Sequence, residues 1–287
     1  MVVVNLKGGL GNQMFQYSFG KGLAMLLNQE LFLNTGIYDR GKSNRQYDLD
    51  IFKLSSHSIA GGESIYRTLK ESDGRIFHVN EKYFHYHGSL MKSLKKYSLV
   101  ISPSDNVHWL CSGYWQSYKY FEHMESVLRN DFTFCNPIHE KWPNIAEQIE
   151  QRNSVMINVR RGDYLNKLDF HGVVDMAYLT KAMDIVYKNV IDPWFCIFSD
   201  DMKWCRENFG GLKNIFFVDE TYYDPKYQYY LQLMSMCKHF IISNSSFSWW
   251  AAWLCQRKNK LVIAPKNWFK DQDINAKDLL PPSWLSV

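Results

Sequence analysis

Two adjacent arginines, Arg160 and Arg161, follow the apolar run at residues 155–159. A guanidinium group is nearly always charged and needs a carboxylate, a phosphate or water as its partner. Its planar fork of donors matches a pair of phosphate oxygens, and Asp163 stands close enough in sequence to hold one arginine in place. The segment therefore indicates either a phosphate site or a solvated turn with an arginine–aspartate pair, and the motif alone favours neither.

Two further apolar runs end in polar residues. Residues 195–198 lead into Ser199, Asp200 and Asp201, and carboxylates accept hydrogen bonds from a guanine edge or a ribose diol. The residues that follow the run at 240–243 are Asn244, Ser245, Ser246, Phe247 and Ser248. Amides and hydroxyls at the start of a helix can bind an anion, although helix capping is the simpler explanation of each segment taken alone. Capping alone would not require three strand ends with groups that suit a phosphate or a nucleoside.

These three segments lie where strand and helix patterns alternate. The predicted strands are residues 155–159, 195–198, 215–218, 240–243 and 261–264, and the predicted helices are 142–151, 176–188, 227–237 and 247–255. Such alternation predicts a parallel sheet with both faces covered. Ligands bind these sheets beyond the carboxyl ends of the strands, so we expect the main site there.

The chain begins with a predicted strand at residues 2–6, a glycine-rich loop at 7–13 and a helix at 14–29. Glycines in such a loop let the backbone approach a ligand closely, and amide side chains at the helix start supply donors. The candidate residues of the loop are Gly9, Gly11, Asn12 and Gln13. Residues 65–135 show little pattern apart from a strand-like segment at 107–112.

Two nucleotide-binding motifs fit the chain less well. Residues 9–14 approach the dinucleotide pattern GxGxxG, but Met14 replaces the third small residue and no acid ends the next strand. Residues 36–43 match the P-loop string, yet residues 44–54 lack the helical periodicity that should follow it. A P-loop nucleotide kinase that depends on Lys42 therefore remains an alternative of low weight.

Short acidic and histidine pairs raise the question of a metal. The pairs are Asp48 with Asp50, Asp271 with Asp273, and His85 with His87. Neither acidic pair follows a buried strand, and no third ligand accompanies the histidines. We expect no metal and no cofactor.

Composition sets the broad class. The 287 residues are 46% hydrophobic and 22% charged, which indicates a globular protein, and the length favours two domains. A net charge of +4, spread thinly along the chain, does not indicate a nucleic-acid partner. Six cysteines without CxxC spacing fit reduced thiols. The sequence has neither a signal-peptide pattern nor a transmembrane stretch, so we expect a cytoplasmic protein.

Four motifs together resemble glycosyltransferase family 11, which contains bacterial α-1,2-fucosyltransferases. They are GGLGNQMFQY at residues 8–17, VRRGDY at 159–164, FSDD at 198–201 and SNSSFSWWAAWL at 243–254. The resemblance implies an α/β fold of GT-B type, with two Rossmann-like domains that face each other across a cleft. We place the acceptor-side domain at residues 1–138 and the donor-binding domain at 139–287.

The resemblance also implies a reaction. The co-substrate would be GDP-β-L-fucose, and fucose would be transferred with inversion and without metal to the 2-hydroxyl of a galactose residue in an oligosaccharide. Surface polysaccharide such as O-antigen is the expected product. A lipid-linked acceptor fits this expectation, as does peripheral membrane contact, although the lysines at 92–96 are more simply explained as a solvated face.

Roles for individual residues follow from the same resemblance. Arg160 is expected at the β-phosphate of the donor, with Arg161 and Asp163 shaping its loop. Asp200 or Asp201 is expected near guanine or ribose. The remaining donor contacts are expected from Gly9, Gly11, Asn12, Gln13, Asn244, Ser245, Ser246, Phe247 and Ser248.

The motif departs from the family at Asn158, where a histidine is usual. Asparagine can donate and accept hydrogen bonds, so a nucleotide contact is still expected, but a titrating role is not. An inverting transfer also needs a base for the acceptor hydroxyl, and Asp163 and His171 are the two candidates.

A non-catalytic carbohydrate-binding protein is a further alternative, built on Trp249, Trp250 and Trp253. The helical spacing of these tryptophans is more simply explained by a buried core. That alternative also leaves Arg160 and Arg161 without a role.

Overall fold

The computed structural model describes residues 1–39, 43–55, 57–101, 105–162, 164–165, 172–271 and 274–287. This part of the chain forms two compact units. The first is Met1–Thr133 with Asn275–Leu279, and the second is Phe134–Ile274 with Leu280–Val287.

The division differs by a few residues from the boundary expected between 138 and 139. The residues just before the expected boundary belong to the second unit because Gln232 bonds to them. Its Oε1 accepts the N–H of Ile138 at 2.9 Å, and its Nε2 donates to the carbonyl of Asn136 at 2.9 Å. A second difference lies near the C-terminus. There the carbonyl of Asp278 accepts the Ser117 hydroxyl at 2.9 Å, which joins this short segment to the first unit.

The first unit contains a parallel sheet. Its strands are β1 (Val2–Asn5), β2 (Leu31–Asn34), β3 (Ser58–Ala60), β4 (Arg75–Asn80) and β5 (Val107–Ser112). Its helices are α1 (Leu10–Leu27), α2 (Gly36–Asp39), α3 (Gly62–Glu71), α4 (Gly88–Ser98) and α5 (Glu125–Asp131). The strand order is β3-β2-β1-β5-β4. The order reverses between β1 and β5, so the carboxyl ends of these two strands are a topological switch point.

The second unit has the same architecture. Its strands are β6 (Asn153–Val159), β7 (Pro193–Ser199), β8 (Ile215–Val218), β9 (His239–Ile241), β10 (Val262–Ala264) and β11 (Leu285–Ser286). Its helices are α6 (Ile138–Lys141), α7 (Pro143–Gln151), α8 (Met176–Asn189), α9 (Met202–Phe209), α10 (Gln228–Met236) and α11 (Ser246–Leu254). The strand order is β11-β10-β9-β6-β7-β8, which reverses between β6 and β9.

Burial explains why this second sheet is parallel. The side chains of Val155, Ile157 and Val159 on β6 are fully buried, as are those of Phe195 and Ile197 on β7. Strands covered on both faces need continuous apolar runs, which is the pattern seen in the sequence. The predicted α/β class and the predicted alternation in this half are confirmed. Among the described residues, no helix is both long and apolar enough to cross a bilayer.

Helix α1 begins four residues earlier than predicted. Gly9 is its N-cap, and the carbonyl of Gly9 accepts the N–H groups of Asn12 at 2.9 Å and Gln13 at 3.1 Å. The second half of the predicted loop is therefore the first turn of the helix. Helix α9 and strand β4 were not predicted.

Candidate functional site

The arginine pair stands immediately after β6, and two aspartates after β7 hold it. Arg160 Nη1 lies 2.8 Å from Asp200 Oδ2. The backbone N–H of Arg161 donates to Asp200 Oδ1 at 2.9 Å, and its Nε donates to Asp201 Oδ2 at 3.2 Å. Each arginine side chain is a quarter exposed or less. Neighbouring strand ends thus fix two positive charges at the edge of the sheet.

Close packing fixes the same arginines from other directions. The guanidinium of Arg161 lies 4.4 Å from the ring centroid of Trp204, and that of Arg160 lies 5.4 Å from the ring of Tyr164. Gly162 allows the turn to lie against Asp200, because a Cβ on Gly162 would sit 2.5 Å from Asp200 Oδ2. A residue with a side chain at 162 would push this carboxylate away from its arginines.

These contacts show which described acids hold the arginines. They are Asp200 and Asp201; Asp163, which the sequence suggested for this role, and His171 lie outside the described residues. Asp201 also caps α9, since its Oδ1 accepts the N–H of Trp204 at 3.1 Å. The capping explanation is confirmed for Asp201. Contact of Asp200 or Asp201 with guanine or ribose stays a prediction.

Asn158 joins the ends of the strands that flank β6. Its side chain is buried, and its Nδ2 donates to the carbonyl of Phe198 at 3.3 Å. Its Oδ1 accepts the hydroxyl of Ser243 at 2.5 Å. The Asn158 amide therefore bonds to the chain on both sides of β6. Its expected contact with the nucleotide remains a prediction.

Helix α11 begins beside the arginine pair. Ser245 is its N-cap with an extended backbone and, within the described residues, makes no capping bond through its hydroxyl. Ser246 and Phe247 follow in the first turn and are partly exposed. The Tyr164 hydroxyl donates to the carbonyl of Asn244 at 3.1 Å, so the ring beside Arg160 also contacts the segment that leads into α11.

Two neighbouring side chains hold this helix start in place. Asn244 Nδ2 donates to the carbonyl of Trp268 at 3.1 Å. Ser248 is fully buried, and its hydroxyl donates to the carbonyl of Ser245 at 3.1 Å. The Ser248 hydroxyl is bonded to the helix backbone and buried, and contact of Ser248 with a diphosphate stays a prediction.

A cluster of aromatic rings beside α11 escaped the sequence analysis. Tyr227 is 45% exposed with a left-handed φ of 56°, and its ring lies 6.4 Å from that of Phe247. Tyr223 lies 5.6 Å from Tyr227, and its hydroxyl donates to the carbonyl of Ser199 at 2.6 Å. A positive φ in a bulky residue is unusual and is often found at functional sites. The tyrosine-rich segment at 222–230 was the available signal.

The glycine-rich segment of the first unit is also tightly held. Gly8 has a φ of +78°, and a Cβ there would lie 2.5 Å from Asn12 Nδ2. Asn12 Oδ1 accepts Gln116 Nε2 at 2.8 Å. Gln13 is buried, with its Nε2 donating to the carbonyl of Gln46 at 2.7 Å and its Oε1 accepting the N–H of Asp48 at 2.9 Å. Gln13 therefore holds the loop at residues 46–48 in place, and its contact with the donor nucleotide sugar stays a prediction.

The other two predicted residues of this segment have different environments. Gly9 is partly exposed at the N-cap of α1, and Gly11 is buried within the first turn. Both remain beside the switch point of the first sheet, at the end of β1. Contact of Gly9, Gly11 or Asn12 with a donor stays a prediction.

A second polar cluster at this edge was also missed. Glu81 follows β4, and its carboxylate accepts the N–H groups of Tyr114 at 2.6 Å and Trp115 at 2.9 Å. Burial raises the pKa of Glu81 above its ordinary value, against the effect of these hydrogen bonds. Lys7 Nζ lies 4.1 Å from the ring centroid of Tyr114. Aromatic and histidine side chains follow Glu81 in the sequence, at Tyr83, Phe84, His85, Tyr86 and His87.

The competing motifs do not form the sites that their strings suggest. Gly36–Asp39 is a helical turn, Lys42 lies outside the described residues, and residues 43–48 contain no helix, whereas a P-loop needs a helix directly after its lysine. Trp249 and Trp250 are fully buried and Trp253 is 8% exposed, so the assignment of these tryptophans to the core is confirmed.

Solved structures similar to this chain share its two-unit α/β fold. The structure of POFUT1 in complex with GDP-fucose has a TM-score of 0.53 and 12% sequence identity, and the match covers 89% of this chain and 93% of that one. At this identity the likeness concerns the fold alone. The fold is the α/β architecture of GT-B type, with a parallel sheet in each unit.

The family model described as glycosyl transferase family 11 matches residues 1–287, and the chain belongs to this family. It is therefore a glycosyltransferase, and the resemblance noted in its four motifs is confirmed.

Three curated relatives are similar to this chain. An α-1,2-colitosyltransferase of Escherichia coli is 28% identical and covers 100% of this chain and 99% of its own. The O-antigen biosynthesis glycosyltransferase WbnK of Escherichia coli is 28% identical, with 98% and 99% covered. Galactoside α-(1,2)-fucosyltransferase 1 of Bos taurus is 27% identical, with 88% and 65% covered.

Proposed function

We propose that this glycosyltransferase moves L-fucose from GDP-β-L-fucose to the 2-hydroxyl of a galactose residue in an oligosaccharide, with inversion and without a metal. The observation that carries the proposal is the position of Arg160, which follows β6 at the switch point of the second sheet and is held there by Asp200. The fucosyl relative supports the donor sugar, and the O-antigen relative supports an oligosaccharide acceptor.

The chemistry requires fixed positive charge at the leaving group. Cleavage of the sugar–phosphate bond leaves negative charge on the GDP diphosphate, and preorganised donors that meet this charge are the largest useful catalytic contribution. The ion pair with Asp200 fixes the guanidinium of Arg160 at the sheet edge, and a guanidinium presents its N–H donors in a planar fork that suits phosphate oxygens. The N–H groups in the first turn of α11 supply a second source of positive potential.

The base of the nucleotide would stack near α11. Phe247 and Tyr227 are partly exposed rings beside the first turn of that helix. A nucleobase needs such a flat apolar face, together with polar groups that read its edge. Asp200 and Asp201, which also pair with the arginines, are the residues proposed to accept hydrogen bonds from the edge of the base.

The acceptor half of the proposal concerns the first unit. Tyr83 is 54% exposed and stacks on His85 at 5.2 Å, and Phe84 stacks on Tyr114 at 6.1 Å. Pyranose rings bind aromatic faces of this kind. The base that takes the proton of the 2-hydroxyl is proposed to be Asp163 or His171. A lipid-linked oligosaccharide is the acceptor class that we favour.

A second donor, GDP-colitose, is favoured by one specific observation, the full-length match to the colitosyltransferase. Colitose is L-fucose without its 3-hydroxyl. A site that hydrogen-bonds this hydroxyl discriminates against the deoxy sugar by about 10⁴- to 10⁵-fold, because its polar groups would be left unpaired. A site with an apolar group at that position would discriminate weakly.

Calorimetric titration with GDP, GDP-fucose and GDP-colitose, each with and without EDTA, tests the donor. We expect GDP and GDP-fucose to bind with EDTA present, and ATP to serve as the negative control. Transfer assays with each donor and β-galactosides follow, with the new linkage assigned by NMR. Tighter binding and faster transfer with GDP-colitose would replace fucose in the proposal. Loss of binding or transfer in EDTA would overturn the metal-free mechanism.

A further inference from the structure

The end of helix α4 in the first unit carries an exposed basic and apolar surface. Leu99 is 85% exposed and Val100 is 75% exposed, directly after the helix that contains Lys92, Lys95 and Lys96. All three lysines are exposed. We call these five residues the α4 patch.

Backbone hydrogen bonds hold Leu99 and Val100 of the patch against the last turn of α4. The N–H of Leu99 donates to the carbonyl of Lys96 at 3.2 Å, and the N–H of Val100 donates to that of Tyr97 at 3.1 Å. The opposite face of α4 is anchored by Leu94, which is 2% exposed. The core thus accounts for one face of the helix and leaves the apolar pair after its last turn in solvent.

The positive charge of the α4 patch indicates which kind of partner would bind it. Residues 88–101 contain three lysines and no acid. Lysines around an exposed apolar pair are complementary to an anionic bilayer, where the lysines meet lipid headgroups and the apolar side chains enter the interface.

We propose that the α4 patch docks the protein on an anionic membrane surface. Helix α4 connects the parallel neighbours β4 and β5, so its end lies at the amino-terminal edge of that sheet. The switch point lies at the opposite edge, beyond the carboxyl ends of the strands. Docking through the patch therefore leaves the switch point of the first sheet uncovered. The inference does not depend on which donor sugar is used.

Co-sedimentation with vesicles tests the proposal. The protein is mixed with vesicles of phosphatidylcholine, with or without phosphatidylglycerol, at several salt concentrations. We expect binding to the phosphatidylglycerol vesicles alone, weakening as salt rises. Each change of Lys92, Lys95 or Lys96 to Gln should weaken binding about fivefold. The pair Leu99→Ser and Val100→Ser should weaken it by about tenfold or more.

A matched control lies in the second unit. Ile191 is 86% exposed and stands close to the exposed Lys188, so Ile191→Ser with Lys188→Gln removes the same kinds of group elsewhere. This control should bind vesicles like the unmodified protein, and all variants should keep their thermal midpoint and GDP affinity. The proposal is overturned if the unmodified protein stays in solution with both vesicles, or if the control loses as much binding as the patch variants. A patch variant that instead changes the oligomeric state in solution, with no vesicle binding, would assign the surface to copies of this chain.

Discussion

Arg160 and Asp200 form an ion pair across the ends of neighbouring parallel strands, with 2.8 Å between Nη1 and Oδ2. The register of β6 on β7 places Val159 opposite Ser199, so the residues that follow each strand meet at the sheet edge. The same Asp200 accepts the backbone N–H of Arg161. One carboxylate therefore fixes both the charge and the turn that we propose for the leaving group.

Replacement of Arg160 by Ala should lower kcat by about 100-fold, because the cation that meets the developing diphosphate charge is lost. The kcat of Arg160→Lys should lie between those of the unmodified protein and Arg160→Ala, since lysine keeps the charge but not the planar fork of donors. Steady-state kinetics with GDP-fucose measure both. Arg206, which pairs with Asp219 at 2.7 Å on the exposed side of α9, gives the control Arg206→Ala. Near-normal turnover of Arg160→Ala would refute the assignment.

Gly162→Ala should lower kcat/KM by about tenfold or more, because the new Cβ meets Asp200 Oδ2 at 2.5 Å and displaces the carboxylate from the arginines. In the background Asp200→Ala the same change should cost little more, since the clash is gone. Gly211→Ala is the matched control, as no described heavy atom lies within 4 Å of its added Cβ. Equal losses for Gly162→Ala in both backgrounds would contradict this coupling.

The contrast between the two halves explains what the sequence could predict. The strands of the second half are buried on both faces and stand out as apolar runs, whereas β4 exposes Arg75, Ile76 and His78 and has no such run. The position of the arginine pair at a strand end could be predicted from the sequence, because the pair directly follows the buried apolar run at residues 155–159. The pairing with Asp200 could not be predicted, because Asp200 lies about forty residues away and meets Arg161 through the pairing of β6 and β7.

The roles of individual polar side chains in these motifs were harder to predict. Gln13 and Ser248 are polar residues in motifs that suggest ligand contacts, yet both are buried and bonded to the backbone. A polar side chain at a helix start serves a ligand or the chain itself, and the sequence contains no signal that separates the two.

Asn158→Ala should lower the free energy of unfolding by about 1–3 kcal/mol, because the Ser243 hydroxyl and the Phe198 carbonyl each lose a buried partner. Urea denaturation measures the change. Ser243→Ala should cost less when made together with Asn158→Ala than alone, since the two share one hydrogen bond. Ser235→Ala, which removes a partly exposed hydroxyl bonded within its own helix, is the control. Additive effects of the two changes would argue against the bond.

The stability of the protein should fall as pH drops below about 6.5, in part through His239. Burial, with the nearby charges of Lys238 and Arg257, lowers the pKa of His239 below its ordinary value of 6.5. Its Nδ1 also accepts the N–H of Leu261 at 3.1 Å, which requires that nitrogen to be unprotonated. The unfolded chain therefore takes up a proton that the folded chain refuses, and this contribution to stability is present above pH 6.5 and lost as pH falls.

The variant His239→Asn isolates this contribution. Its Oδ1 can accept the same N–H but does not titrate, so the free energy of unfolding, measured by urea denaturation between about pH 7 and pH 5, should vary less steeply. The slope can fall by at most about 1.4 kcal/mol per pH unit, the value for one proton. Burial also lowers the pKa of His57 and His108, so part of the slope should remain. An unchanged slope in His239→Asn would mean that His239 takes up its proton without cost in the folded state.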